Sequence, residues 1–151
     1  MLFRLPLEVL IILLPILIFS LSFHEFSHGY IAYRLGDHTA ARSGRLTLNP
    51  LAHLDPIGSL MILFVGFGWA KPVPVNPINF LNPRVDMMKV AFAGPASNLI
   101  LAFIAGLGIR LANYSELMSN GIFYQTLYVF SFINIALTVF NMLPISPFDG
   151  S

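Results

Sequence analysis

The sequence contains no cysteine. Disulfide frameworks and thiolate metal sites are therefore excluded, and any metal centre must be built from histidine, carboxylate or backbone oxygen. Charge is almost as scarce. Eight Lys and Arg stand against seven Asp and Glu, 10% of 151 residues, where soluble domains carry about 25%. So few charges cannot cover a water-facing surface. A net charge of +1 offers no electrostatic footprint for nucleic acid. No repeat or low-complexity tract is visible. What is abundant is apolar: 56% hydrophobic residues and a mean hydropathy of +0.77. The length suits one domain, residues 1–151, and the composition is that of an integral membrane protein.

Residues 5–35 predict one long helix, stopped by Gly36 and Asp37, with Arg34 in the last turn where the helix dipole favours a cation. Arg4 and the run after it also resemble a secretory signal, with SLS at 20–22 as its cleavage site. The apolar pattern continues through GYIAYRL, so a spanning helix is the better reading. RSGRLTLN at 42–49 alternates mildly and predicts a short strand. The stretch 57–70, IGSLMILFVGFGWA, is apolar but only 14 residues long with three glycines, which predicts a re-entrant segment. Four prolines in 71–83, KPVPVNPINFLNP, predict an extended stretch rather than a helix. Two more long helices are expected over 85–112 and 122–143, with a polar turn between them. The expected fold class is an all-α polytopic membrane protein. It has three long transmembrane helices, a short re-entrant apolar segment and a small β-strand or extended element. Six of the eight basic residues, Arg34, Arg42, Arg45, Lys71, Arg84 and Lys89, then share one side. The positive-inside rule makes that side cytoplasmic.

Near the end of the first apolar run stands FHEFSHGY, residues 23–30. In a helix His24 and His28 share a face and can hold one ion together, with Glu25 beside them. This is the HExxH arrangement of two zinc ligands and a general base. Zinc lowers the pKa of water to about 7, and the glutamate moves the proton. A bland polar patch is the alternative. It is the weaker one inside a membrane helix, where each ionisable residue costs about 2.5–3.5 kcal/mol. A third ligand is needed, and Asp37, His38, His53, Asp55, Asp86 and Asp149 are the candidates. Asp37 and His38 follow the helix end and would have to fold back. His53 and Asp55 suit a turn, and Asp86 suits a helix start. Asp149 remains, in an unwound segment between Pro147 and Gly150 on the same side as the histidines.

HEFSH, AGPASN and FNMLPISPFDG, in that order in an apolar chain, resemble the site-2 protease family of intramembrane zinc metalloproteases. RSGRLTLNPLAHLDPIGSLM and GWAKPVPVNPINF are similar to its compact prokaryotic members, which lack a PDZ domain. The resemblance runs from Phe23 to Ser151. It implies one zinc per chain on His24, His28 and Asp149, with Glu25 as catalytic base. It also places Asn141 at the position proposed to steady an oxyanion, a role open beside that of an Asn bonding its own helix backbone. Asn98 reads as a structural bridge between helices, and Gly94 and Ala96 as small residues for close approach. Family members usually carry a further apolar segment past the Asp. This sequence stops two residues after it, so a fragment or a trimmed core is expected.

The expected activity is hydrolysis of a peptide bond in or near a transmembrane or signal-peptide helix, within a prokaryotic cytoplasmic membrane. The partners are that helix and the lipid bilayer, with no nucleic acid and no indication of oligomeric state. A non-catalytic metal binder or pseudoprotease is the alternative. Val73 and Val75 keep their N–H groups while Pro72 and Pro74 have none, so KPVPV, or RLTL, is expected to offer an edge to an unwound substrate.

Overall fold

The computed structural model describes residues 4–115 and 121–143. Five α-helices follow in order: α1 (Leu7–Arg34), α2 (Thr39–Arg42), α3 (Pro56–Val65), α4 (Pro83–Tyr114) and α5 (Ile122–Met142). The three long helices are those expected. α4 starts two residues early because Pro83 sits in its first turn, where a missing N–H costs nothing. α1, α4 and α5 have 28, 32 and 21 residues. At 1.5 Å per residue they are roughly 42, 48 and 32 Å long, against a hydrocarbon core of about 30 Å.

The bundle is apolar outside and polar inside. Ile11, Phe103, Leu111 and Phe132 lie exposed on it. Buried between the helices are Ser20, Ser22, His24, Glu25, His28, Asn98 and Asn134. Water as solvent would favour the reverse; a bilayer fits this arrangement. Several helix hydroxyls, buried or exposed, bond their own backbone, as Ser22 does to Ile18 O at 2.8 Å and Thr126 to Ile122 O at 2.6 Å. α1 packs on both α4 and α5, and α4 packs on α5. Ala93, Gly94, Ala102 and Ala105 are buried along α4, and such small side chains let backbones approach.

The connections between α1 and α4 differ in part from expectation. No strand forms among the described residues. The chain is helical over Thr39–Arg42, runs through turns and bends over 43–49, and Asn49 caps a 3-10 turn at Pro50–Ala52 by accepting from Leu51 N–H at 3.1 Å. Among the described residues the stretch 42–49 pairs with no other segment, and a lone strand cannot satisfy its own backbone. Within 57–70 the chain is helical to Val65 and then turns back at Gly66. Asp55 caps that helix, accepting from Gly58 N–H at 2.9 Å. The ends of the excursion meet: Leu54 and Ala70 form an antiparallel bridge, and Lys71 N–H donates to His53 O at 2.7 Å. Gly58 permits this return, since a Cβ there would overlap the Trp69 backbone. The proline-rich stretch stays non-helical from 71 to 76, then makes a 3-10 turn at Pro77–Asn79 with Pro in first position.

Candidate metal centre

α1 carries His24, Glu25 and His28 into the middle of the bundle, all three buried. Their ligand atoms lie within 4.8 Å of one another. The two imidazoles meet edge to face, with Nε2 of His28 3.1 Å from Nε2 of His24. Two nitrogens on a tetrahedral zinc lie roughly 3.3 Å apart, given Zn–N bonds of about 2.0–2.1 Å. The far side of each ring is held by another helix. His28 Nδ1 donates to Val90 O at 2.7 Å, and His24 Nδ1 bonds Asn98 Oδ1, both on α4. Such outer bonds orient a ligating imidazole and make it more basic.

α4 also leaves the room. A Cβ on Gly94 would stand 2.5 Å from both Nε2 atoms, close to where an ion would bond them. The next residue, Pro95, has no N–H to give to the carbonyl four residues back. The donor set, its spacing and the space opposite it all fit zinc.

Glu25 projects beside the pair. Its Oε2 accepts from Val73 N–H at 3.2 Å. The N–H expected to lie along an open edge is thus turned inward, and Val73 is buried. Glu25 borders two cavities. One of about 260 Å³ is lined by His28, Pro72, Val73, Val75, Met87 and Val90. The other, about 60 Å³, is lined by His24, Trp69, Leu137, Phe140 and Asn141.

No family model and no solved structure matches the chain. Curated proteins do. "Putative zinc metalloprotease YwhC" of Bacillus subtilis (strain 168) is 46% identical over 149 residues, 96% of this chain and 68% of that protein. The chain belongs to this zinc metalloprotease family. "Putative zinc metalloprotease MJ0611" of Methanocaldococcus jannaschii is 31% identical over 139 residues, 89% of this chain and 69% of its own. "Putative zinc metalloprotease Rip2" of Mycolicibacterium smegmatis is 34% identical over 136 residues, and there the chain spans only 51% of the relative's length.

The other candidates from the sequence are brought elsewhere. Asp55 caps α3, and Asp86 accepts from Asn82 N–H at 3.2 Å and from Lys89 Nζ at 3.4 Å at the start of α4. His53 bonds Thr47 O through Nε2 at 2.6 Å, and the exposed His38 stacks on Tyr33. Asp37 is buried and ties the end of α1 to the proline-rich stretch. It accepts from Thr39 N–H and Oγ1, from Asn79 Nδ2 at 2.8 Å and from Asn76 N–H at 2.8 Å. Burial pushes this carboxyl up, but those bonds outweigh it and hold it below the ordinary value. Asp149 lies outside the described residues. Asn141 stands at the small cavity and donates to Leu137 O at 2.8 Å, one of the two roles the sequence left open.

Asn98 bridges helices as expected, donating to Ser20 O at 3.2 Å and to Asn134 Oδ1 at 2.9 Å. Its bond to His24 was not foreseen, nor was any role for Asn134 or Ser20. The insertion-cost argument that singled out the histidines applies to Asn134 too, an amide alone in the run YVFSFINIAL.

Proposed function

We propose that this chain is the core of a zinc-dependent intramembrane endopeptidase of the site-2 protease type. The observation that carries this reading is the convergence of the His24 and His28 Nε2 atoms at 3.1 Å, with Glu25 beside them, inside a bundle whose exterior is apolar. One zinc per chain would be held by His24, His28 and Asp149. Bound there, it supplies Lewis-acid polarisation and a nucleophilic water at neutral pH.

The chain supplies the rest. Glu25 takes a proton from the attacking water and delivers it to the leaving amine as the peptide C–N bond breaks. Asn141 borders the same cavity as His24 and Glu25, where an amide N–H can meet the oxyanion. Its nitrogen carries two protons, so the bond to Leu137 O does not use its capacity up. The excursion from 54 to 70 dips into the bilayer as a re-entrant element and brings Trp69 against the site. Irregular backbone at that depth is tolerated where it lines a cavity. Substrate is a transmembrane or signal-peptide helix, locally unwound. Its backbone displaces Val73 N–H from Glu25 as it enters. The site faces the cytoplasm in this reading, which the shared side of six basic residues supports.

A non-catalytic zinc protein would use the two histidines equally well but has no need of Glu25. The unmodified protein and Glu25→Gln are therefore produced in the same membrane with candidate helical substrates. We expect equal zinc content and a fragment made by the unmodified protein alone. A fragment made by both, or zinc lost together with activity, defeats the assignment.

A further inference from the structure

We infer that Asn98 and Asn134 are positioning residues that fix the tautomer of His24, so that α5 shapes the metal centre although its residues include no His, Asp or Glu. The inference rests on reading His24 and His28 as metal ligands, and it follows from counting protons.

Two backbone carbonyls set the direction, because a carbonyl can only accept. The Asn134 amide faces Phe130 O at 2.9 Å and Ser20 Oγ at 3.0 Å. The group facing Phe130 O must be Nδ2, which turns Asn134 Oδ1 toward Asn98. The Asn98 amide faces that oxygen at 2.9 Å and Ser20 O at 3.2 Å. Both are acceptors, so both Asn98 Nδ2 protons are committed to them. Asn98 Oδ1 is left facing His24 Nδ1, and the imidazole must donate there. A neutral His24 then has its lone pair on Nε2, the atom 3.1 Å from Nε2 of His28. His28 reaches the same state in one step, through Val90 O.

Amide orientation is ordinarily ambiguous. Here a flip of either Asn would press oxygen against a backbone carbonyl. Asn98, Asn134 and Ser20 are fully buried, so water cannot repair the loss. A metal binds imidazole at the nitrogen that lacks a proton. Without the relay, the Nε2–H tautomer of His24 would compete with metal binding.

The test uses the full chain in detergent, with zinc affinity read by chelator competition and ring ¹⁵N shifts read on the metal-free protein. The unmodified chain should show His24 protonated at Nδ1. Asn98→Leu should bind zinc about 10–100-fold more weakly. Asn98→Asp keeps an acceptor for Nδ1–H but turns an oxygen toward Ser20 O and Asn134 Oδ1, so it should recover only part of that loss. Asn134→Leu should cost about tenfold and give a mixed His24 tautomer. A His24 still protonated only at Nδ1 in Asn98→Leu would reduce the pair to packing and overturn the inference. So would protonation at Nε2 in the unmodified chain, a readout that needs no variant to fold. His24→Ala separates the two readings. If it retains zinc, the metal site itself fails. If it loses zinc while the Asn variants bind as the unmodified chain does, only the positioning role fails.

Discussion

The four histidines fall into two pairs with different work. His38 and His53 lie in the connections, and His53 makes its side-chain bond to Thr47, six positions away. His24 and His28 lie in the bundle, with partners at Asn98 and Val90, 74 and 62 positions away. The same division separates the amides and carboxylates. Asp55 and Asn49 bond backbone two or three residues along, whereas Asn134 reaches Ser20 across 114 positions. A polar side chain in a connecting turn closes that turn. An imidazole or amide in an apolar helix has more capacity than its own backbone can satisfy and finds further partners on another helix, and these then accumulate at one place. Asp37 stands between the two classes, because it takes bonds both from Thr39 and from Asn76 and Asn79.

The sharpest way to break the contrast is to fill the space between the bundle histidines. Gly94→Ala places a Cβ against both Nε2 atoms, while Gly106, on the same helix, has nothing within 4 Å of its would-be Cβ. Zinc affinity by chelator competition should fall for Gly94→Ala by about 100-fold, the upper end of what disturbing the shell around a metal costs. It should stay unchanged for Gly106→Ala. Equal effects would mean that helix packing, and not the ligand space, was disturbed.

Asp37→Ala tests the intermediate class. It removes a charged acceptor from four donors and should destabilise the 76–82 stretch by about 2–3 kcal/mol, read by hydrogen exchange. Zinc content should not change. The carboxyl is held below its ordinary value, so its contribution is complete above a pH of about 3.9 and is lost only as pH falls through the lower folded value. Asn76 amide protection should therefore be flat from neutral pH down to about 5. Loss near neutrality would show that another group controls the clip.

His53→Ala gives the smallest effect, about 1–2 kcal/mol of local stability in the 47–54 loop, from one buried hydrogen bond. Limited proteolysis there should quicken while zinc affinity holds. A parallel fall in zinc affinity would erase the distinction between the two histidine pairs.

Legibility in the sequence followed the range of the interactions. The long helices were readable to within two residues at most ends, because apolar runs bounded by Gly36, Pro83 and Gly121 act locally. HEFSH was readable because the i,i+4 spacing fixes a shared face within one helix. The strand over 42–49 was misread, since alternation states a preference and pairing needs a partner. Val73 was read as an open donor because proline spacing reports which N–H groups exist, not what they meet. Asn134 went unmarked for want of a motif around it.

Composition and local spacing alone determined that this chain is strongly apolar, carries three helices long and apolar enough to cross a membrane, and sets His24, Glu25 and His28 on one of them. Those properties depend on neighbours within one turn or on the solvent. Only the tertiary structure decided that Asn98, Asn134 and Val90 O hold the imidazoles, that Gly94 leaves the space between them, and that Val73 N–H rests on Glu25. These contacts join residues far apart in the chain, and no local pattern encodes which distant acceptor a buried proton will find.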